Sequence, residues 1–280
     1  MAEAIGAWIS RRVPLMTLGK SSDSAELTEL LDIATRIAKQ AGDLLMDRPD
    51  TFDTDTKTSD IDVVTHMDKL SEKLIVSEIQ KARPNDGIVG EEGADHPSKT
   101  GYTWHIDPID GTVNYIYDIP GWNVSIGIED SEGPCVGVVY APTINSIWTG
   151  ARGQGSFKNG KRCKVNDPVD LSRALLGTGF PYVMEDRNFQ IKMITNNLKK
   201  IRDLRRTGGA AIDICNVGSG GSDGYYEQRL KSWDRTAAFV IASEAGAVVS
   251  YDPERDLTLA AGPTLYPTLK ALAHEALDSL

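Results

Sequence analysis

The chain has 280 residues, of which 40% are apolar and 25% charged, with a net charge of -10 and a pI near 4.9. This length suits one large α/β domain or two small ones. The acidic balance disfavours a general nucleic-acid surface or a polybasic membrane surface, because both need an excess of Lys and Arg. Arg202, Arg205 and Arg206 remain as a local basic cluster.

The cysteines and residues 1–22 indicate in which cellular compartment the protein is expected. The chain has three cysteines, Cys135, Cys163 and Cys215, and no two of them form a C-x-x-C pair. An odd number of scattered cysteines disfavours a disulfide framework or a zinc site. Residues 1–22 lack the long apolar core of a secretory signal, and no run approaches the roughly 20 apolar residues of a membrane span. We therefore expect reduced thiols, a cytoplasmic protein and a variable extension over 1–22.

The first half of the chain opens with two predicted helices. Asp23 and Glu26 form a capping-box pattern before apolar residues at helical spacing, and this helix should end near Pro49. Residues 52–62 are polar and acidic, which predicts an exposed loop. A second helix is expected to start at Thr65, with Asp68 three residues on.

Strand and helix patterns then interleave along the rest of the chain. Asn159-Gly160 is the strongest hairpin signal. Strands are predicted over 87–92, 102–107, 123–130, 135–142, 145–153, 223–227 and 247–251, and helices over 185–202, 210–218, 233–246 and after Pro267. These elements predict one compact α/β or α+β unit, with an N-terminal subdomain over 23–170 and a C-terminal subdomain over 171–280.

The turn after the strand at 102–107 places two aspartates close together. Pro108 biases Asp107 toward an extended backbone and fixes its own φ, so the turn is stiff. It can aim Asp107 and Asp110 at one point, where Gly111 and Thr112 offer N–H groups and a hydroxyl to an anion. The alternative is an ordinary turn capped by Asp110, with Asp107 in solvent.

Other acids lie at similar places. Glu91 and Glu92 end the strand that begins at residue 87, and Asp234 begins a predicted helix. Taken singly, these are common strand ends and a helix N-cap. Together they mark the ends of buried elements, where open α/β sheets put their ligand sites.

Convergence of these acids would require positive charge. At separations of about 5 Å and an effective dielectric near 20, each carboxylate pair costs about 3 kcal/mol, or about 20 kcal/mol for all six pairs of Glu91, Asp107, Asp110 and Asp234. Two or three divalent cations would balance that repulsion. The all-oxygen ligand set favours Mg²⁺ over zinc.

At these motifs the sequence resembles the inositol monophosphatase family of metal-dependent, lithium-sensitive sugar phosphatases. The resemblance lies in residues 62–68, 90–92, 107–115 and 233–247, and it runs over 23–280 in the same order and spacing. It implies a layered αβαβα sandwich, commonly a homodimer, that hydrolyses myo-inositol 1-phosphate or a related inositol monophosphate by metal-activated water attack.

The resemblance also implies roles for individual residues. Metal ligands would be Glu91, Asp107, the carbonyl of Ile109, Asp110 and Asp234, for two or three Mg²⁺ per site. Glu91 and Thr112 would activate the water, with Asp68 orienting Thr112. Residues 57–62 would form a mobile loop near the weakest metal. Substrate contacts would come from Asp110, Gly111, Thr112, Gly209, Ala210 and Glu227.

Alternatives remain open within and outside this class. Histidinol phosphate, fructose 1,6-bisphosphate and adenosine 3',5'-bisphosphate are substrates of related sequences. Gly209 stands where the family often has a hydroxyl residue, which leaves the substrate less defined than the metal ligands. Some bacterial relatives bind transcription machinery, so the arginine cluster at 202–206 could instead mark an interaction protein. His66, His96, His105 and His274 have the pattern of surface or packing residues.

Overall fold

The computed structural model describes residues 23–49, 54–56 and 63–280. The expected N-terminal extension over 1–22 and the expected mobile loop over 57–62 lie outside the described residues. Within the part of the chain that is described, no helix has both the length and the apolar character needed to cross a membrane.

The helices begin close to the predicted caps. Asp23 accepts a hydrogen bond from the amide of Ala25 at 3.1 Å, but Glu26 does not complete the predicted capping box, because it pairs with Arg83 at 3.0 Å and accepts from Tyr102. Thr65 and Asp68 form the full capping box. The helices are α1 (Ser24–Met46), α2 (His66–Ala82), α3 (Thr112–Ile116), α4 (Asn188–Asn197), α5 (Ala210–Gly218), α6 (Ser232–Glu244) and α7 (Tyr266–Asp278).

The first two strands, β1 (Thr54–Thr56) and β2 (Val63–Thr65), pair with each other, and the following strands build a large sheet. These are β3 (Gly87–Gly90), β4 (Asp95–His96), β5 (Thr103–Asp110), β6 (Asn123–Asp130), β7 (Gly133–Ala141), β8 (Ser146–Ala151), β9 (Gly155–Lys158) and β10 (Lys161–Arg162). Their order is β10-β9-β8-β7-β6-β5-β3-β4, antiparallel except for β3 beside β5. Asn159 and Gly160 both have positive φ, 49° and 74°, in the predicted hairpin.

A second sheet contains strands that the sequence patterns did not predict. Its strands are β11 (Leu175–Thr178), β12 (Asp203–Arg205), β13 (Gly224–Gln228), β14 (Val248–Asp252) and β15 (Leu257–Ala261), in the order β12-β11-β13-β15-β14. The predictions missed β11, β12 and β15, and the helix expected over 185–202 is shorter. Strand β15 is short and fully buried, so its sequence lacks the alternation of apolar and polar residues that marks a strand. The edge strand β12 is only three residues long and exposes both Asp203 and Arg205, so it has no apolar pattern either.

The helices and sheets stack in five layers. Helices α1 and α2 pack on one face of the large sheet, α5 and α6 lie between the sheets, and α4 and α7 cover the far side of the second sheet. The predicted αβαβα sandwich is therefore confirmed. The division near residue 170 stays a prediction.

Helix α6 lies unusually close to the large sheet. A Cβ at Gly127 of β6 would stand 2.5 Å from the amide nitrogen of Ala237, and one at Gly137 of β7 would stand 2.9 Å from the carbonyl carbon of Ala237. Only glycine permits this approach of helix backbone to strand backbone. The first turn of α6 thereby lies beside the end of β5, where the predicted aspartates are.

Candidate active site

The turn predicted after Asp107 is an irregularity within β5, which continues through Pro108 to Asp110. Asp107 is 2% exposed, and its Oδ1 accepts the amide N–H of Ile109 at 3.0 Å. The strand register with β6 shifts between Asp107 and Asp110, and both residues line the same pocket. Gly111 has a φ of 90°, which favours glycine, and α3 starts at Thr112. Because α3 spans Thr112–Ile116 only, its dipole adds little to anion binding there.

Asp68 orients the hydroxyl group of Thr112 through a hydrogen bond. The Thr112 hydroxyl lies 3.1 Å from Asp68 Oδ1 and 3.1 Å from the carbonyl oxygen of Ile109. The other Asp68 oxygen, Oδ2, accepts the hydroxyl and the amide N–H of Thr65 at 2.6 and 2.8 Å. Asp68 is fully buried, so the capping box of α2 also fixes Thr112.

Asp110 is oriented by donors from two other elements. It accepts the amide N–H groups of Ala210 and Ala211 at the start of α5, at 3.0 and 2.9 Å, and the side-chain amide of Asn123 at 2.8 Å. Gly209 packs beside this carboxylate, where a Cβ would stand 2.8 Å from Asp110 Oδ2. The Ala210 N–H is therefore bonded to Asp110, and Ala210 can contact a substrate only through its remaining atoms.

These residues surround one pocket of about 570 Å³. Asp68 is the predicted site residue that lies behind the pocket wall, where it contacts Thr112. The other predicted site residues all line the pocket: Glu91, Asp107, Ile109, Asp110, Gly111, Thr112, Gly209, Ala210, Glu227 and Asp234. Their roles stay predictions, but the expected convergence is present.

The carboxylates repel one another in a buried site. Burial raises the pKa of Asp107 well above its usual range, and Glu91, Asp110 and Asp234 raise it further. Burial and Glu91 do the same to the pKa of Asp234, although the amide N–H of Lys231 opposes the shift with a 2.5 Å hydrogen bond. Burial raises the pKa of Asp110 to about 6, partly offset by its donors Asn123 and Ala211.

The donor set fits a hard divalent cation. Among the described residues, no three His, Cys, Asp or Glu side chains already have the spacing of a complete metal site. The pKa values of Asp107 and Asp234 are raised by burial and by the neighbouring carboxylates, and a bound cation would oppose both effects. Carboxylate and carbonyl oxygens are the ligands that Mg²⁺ prefers. Glu91, Asp107, Asp110 and Asp234 could therefore hold such a cation together with the Ile109 carbonyl.

The pocket lining also includes two further acidic residues, Asp213 and Glu227. Burial raises the pKa of Glu227 to about 8, and the Tyr225 hydroxyl donates a very short hydrogen bond to its carboxylate. Gly179 packs directly against the same carboxyl group. Burial likewise raises the pKa of Asp213 to about 7, while the amide N–H of Thr207 donates to it at 3.2 Å. Neutral Glu227 can donate a hydrogen bond as well as accept one.

Several pocket residues had no signal in the sequence. Arg229 has a φ of 71°, rare for a non-glycine residue, and its guanidinium pairs with Asp186 at 2.9 Å and with Asp256 at 3.3 Å. The additional lining residues are Thr178, Gly179, Phe180, Pro181, Tyr182, Val183, Asp186, Arg206, Gly208, Asp213, Tyr225, Gln228, Arg229, Leu230, Lys231, Trp233 and Asp256. They come from loops and from parts of β11, α5, β13 and α6 that only the tertiary fold brings together.

The predicted arginine cluster is divided. Arg206 lines the pocket, with its guanidinium 5.9 Å from the ring centre of Phe180. Arg205 pairs with Asp203 at 2.6 Å on the exposed edge strand β12. The cluster therefore does not act as a single patch.

Comparison with known proteins identifies the family. The family model of the inositol monophosphatase family matches residues 26–279. The chain belongs to the inositol monophosphatase family. Its phosphatase fold and the resemblance seen at 62–68, 90–92, 107–115 and 233–247 are thereby confirmed.

Members of the inositol monophosphatase family with different names are similar to the chain. The Nus factor SuhB of Pasteurella multocida is 38% identical over 228 residues, 80% of this chain and 85% of that protein. A fructose-1,6-bisphosphatase/inositol-1-monophosphatase of Aquifex aeolicus is 41% identical over 188 residues, 67% of this chain and 71% of that protein.

Solved structures of the family superpose over most of the chain. The IMPase of Thermotoga maritima has a TM-score of 0.82 at 29% identity and covers 90% of this chain and 99% of its own. The inositol monophosphatase of Anabaena has a TM-score of 0.78 at 32% identity, over 89% and 97% of the two chains.

Proposed function

We propose that the protein is a Mg²⁺-dependent phosphomonoesterase that hydrolyses myo-inositol 1-phosphate or a related inositol monophosphate. The observation that carries this proposal is that Glu91, Asp107, Asp110 and Asp234 line one pocket, which Glu227 lines as well. Family membership supports the reaction class.

In this proposal, bound Mg²⁺ supplies a more acidic water and stabilises the leaving ester oxygen. The chain holds and orients the reacting groups. Asp68 fixes the Thr112 hydroxyl, and Glu91 shares the pocket wall with Thr112. These groups are suited to orient an attacking water. The N–H groups of Gly111 and Thr112 would bind phosphate oxygens.

The alcohol part of the substrate would lie against Glu227. Its buried carboxyl, bonded to Tyr225, and the nearby Asp213 form a polar wall that suits several hydroxyl groups. Asp110 has three of its acceptor positions occupied by Ala210, Ala211 and Asn123, which leaves capacity for one further ligand or hydroxyl.

Initial-rate phosphate release with Mg²⁺ tests the substrate. The panel is myo-inositol 1-phosphate, histidinol phosphate, fructose 1,6-bisphosphate and adenosine 3',5'-bisphosphate, with a chelator control for each. We expect the highest kcat/KM for the inositol ester. A preference for another ester would retain the reaction class and reject the substrate, whereas no metal-dependent release from any would reject the proposal.

A bisphosphate is the strongest rival substrate. Arg206, Arg229 and Lys231 line the pocket and could attract a second anionic group. The Aquifex aeolicus relative is named for both activities. Arg206→Ala would then reduce kcat/KM for fructose 1,6-bisphosphate much more than for the inositol ester.

An interaction role is a second candidate, because several similar relatives are named Nus factor SuhB. Arg202 and Arg205 are exposed beside and on the edge strand β12, and neither lines the pocket. Binding of a purified bacterial transcription elongation complex should be lost on replacing both by Ala. Replacing the exposed Lys39 and Lys73 of α1 and α2 by Ala removes equal charge and serves as the control.

Location and assembly are part of the same proposal. Cys135, Cys163 and Cys215 are buried free thiols, which suits a reducing cytoplasm. A homodimer is proposed from the family resemblance, and sedimentation equilibrium would measure its mass.

A further inference from the structure

Three side chains connect β6, β5 and the first residue of α6. His105 of β5 is 5% exposed, and its Nδ1 lies 2.9 Å from the Ser232 Oγ of α6. Its Nε2 lies 3.0 Å from Glu129 Oε1 of β6. The Nε2 contact is poorly aligned for a hydrogen bond, so the bond to Ser232 is the better anchor. The sequence pattern had marked His105 only as a surface or packing residue.

Both ends of this connection lie next to proposed metal ligands. His105 precedes Asp107 by two residues on β5, and Ser232 precedes Asp234 by two residues on α6. Alternate residues of a strand face the same side of a sheet. His105 and Asp107 thus both face α6, so a bond at His105 acts on the distance between the two aspartates.

The body and the first turn of α6 are held in different ways. The body is fixed by backbone contact, because Gly127, the cross-strand partner of His105, lies directly beneath Ala237. The first turn depends on side chains from the sheet. These are His105, bonded to Ser232, and Ser125, whose hydroxyl donates to the carbonyl oxygen of Trp233 at 3.3 Å.

A serine, a histidine and a glutamate in contact could also suggest a hydrolase triad. The pocket position argues against that interpretation. Lys231, Trp233 and Asp234 line the pocket, whereas Ser232 is not among the described residues that do. A nucleophile has to reach the substrate. The role of the trio is therefore to hold α6.

We propose that His105 is a positioning residue that, through Ser232, sets the separation of Asp107 from Asp234 and thereby the affinity of the site for Mg²⁺. This proposal rests on the metal-binding part of the proposed function. Groups that orient metal ligands typically change metal affinity by about 10- to 100-fold when they are removed.

The test is Mg²⁺ titration of the full chain by calorimetry, together with KM and kcat at saturating Mg²⁺. His105→Ala and Ser232→Ala should each weaken Mg²⁺ binding by about tenfold, and the double variant should be no weaker than either one. At saturating Mg²⁺, KM should stay within about twofold of the wild-type value, because the substrate contacts lie elsewhere in the pocket.

Conservative variants separate positioning from packing. His105→Asn keeps a polar atom near Nδ1 and should recover most of the Mg²⁺ affinity, whereas His105→Gln, which keeps one near Nε2, should not. Ser219→Ala is the matched control. The Ser219 hydroxyl accepts the indole N–H of Trp148 at 3.2 Å, a bond between the large sheet and the C-cap of α5, and Ser219 does not line the pocket.

The possible results distinguish a positioning role of His105 from a purely structural one. Unchanged Mg²⁺ affinity in His105→Ala and Ser232→Ala would overturn the positioning role, even if the variants were less stable. Equal recovery by Asn and Gln would also overturn it. Wild-type protein that binds Mg²⁺ but releases no phosphate would reject the proposed function while the affinity comparison still decides the role of His105. Wild-type protein that binds no Mg²⁺ would reject both.

Discussion

At the scale of single residues, neighbouring carboxylates have different surroundings. Asp110 is bonded to amide N–H groups of α5, whereas Asp107 has one amide donor and three acidic neighbours. Hydrogen-bond donors stabilise the ionised form, and neighbouring acids destabilise it. The pKa of Asp107 is accordingly raised further than that of Asp110, which rises to about 6. A bound cation would therefore stabilise the ionised form of Asp107 where the protein's own donors do not.

Replacing Asp107 tests this dependence. Asp107→Asn removes a ligand and one negative charge, so kcat should fall by several orders of magnitude while the metal-free fold becomes no less stable. Phosphate release at saturating Mg²⁺ and the melting temperature with a chelator are the measurements. Activity within about tenfold of wild type would reject the metal assignment.

Glu227 leads to a prediction about pH. Its pKa is raised to about 8 by burial, so the carboxyl is neutral at neutral pH and resembles a glutamine amide. Glu227→Gln should therefore have nearly the wild-type KM at about pH 6.5. Above about pH 8 the wild-type carboxylate ionises and forms stronger, charge-assisted hydrogen bonds to substrate hydroxyls, so its KM should fall relative to that of the variant.

The ratio of the two KM values isolates this group, because the phosphate titrates equally in both reactions. Glu227→Ala supplies the comparison in which both hydrogen-bonding atoms are absent, and it should raise KM at every pH. A ratio of Gln to wild-type KM that does not change with pH would contradict the neutral state of Glu227.

At the scale of elements, the contact between α6 and the large sheet decides where Asp234 lies. Gly127 and Gly137 lie on adjacent strands and leave room for the backbone around Ala237. Since a helix is rigid over this length, moving its middle would also displace its first turn. The glycines thus contribute to the site although they do not line it.

A methyl group at Gly137 should therefore be poorly tolerated. Its Cβ would meet the carbonyl group of Ala237, which belongs to backbone and cannot rotate away. We expect Gly137→Ala to reduce the free energy of unfolding by about 3 kcal/mol, measured by urea denaturation. Gly150→Ala is the control, since its Cβ would lie 3.2 Å from the Ser156 Cβ and 3.3 Å from the Cα of Ile241. A loss at Gly137 no larger than at Gly150 would refute this account.

At the scale of the whole molecule, buried acids connect stability to pH. The folded-state pKa values of Asp213 and Glu227 rise to about 7 and about 8 because both carboxyl groups are buried. In the unfolded chain these groups ionise near pH 4. The folded state then holds more protons than the unfolded state between about pH 4 and pH 8, so the stability of the metal-free protein should fall as pH rises through that range.

The melting temperature with and without Mg²⁺ checks this sign. Metal-free protein should melt several degrees lower at about pH 8 than at about pH 6, and Mg²⁺ should raise the melting temperature more at the higher pH, where the ligands ionise readily. Glu227→Gln should reduce the pH dependence without abolishing the Mg²⁺ effect. A metal-free melting temperature that rises toward pH 8 would contradict the burial of these acids.

Helix caps, one hairpin turn and the family motifs follow from short stretches of the sequence. The caps at Asp23 and Thr65 and the turn at Asn159-Gly160 could be predicted because each depends on neighbouring residues. The motifs that carry the family resemblance were readable for the same reason, since their spacing is local.

Other features depend on packing between parts of the chain that are distant in sequence. The bond between His105 and Ser232 joins residues 127 apart in sequence. The pocket lining brings together Arg206 and Arg229, which lie in separate loops. Strand β15 has a fully buried run without alternation, so its place between β13 and β14 depends on its neighbours. The raised pKa of Glu227 likewise comes from burial. Burial and long-range contact are properties of the packed chain, and no local pattern specifies them.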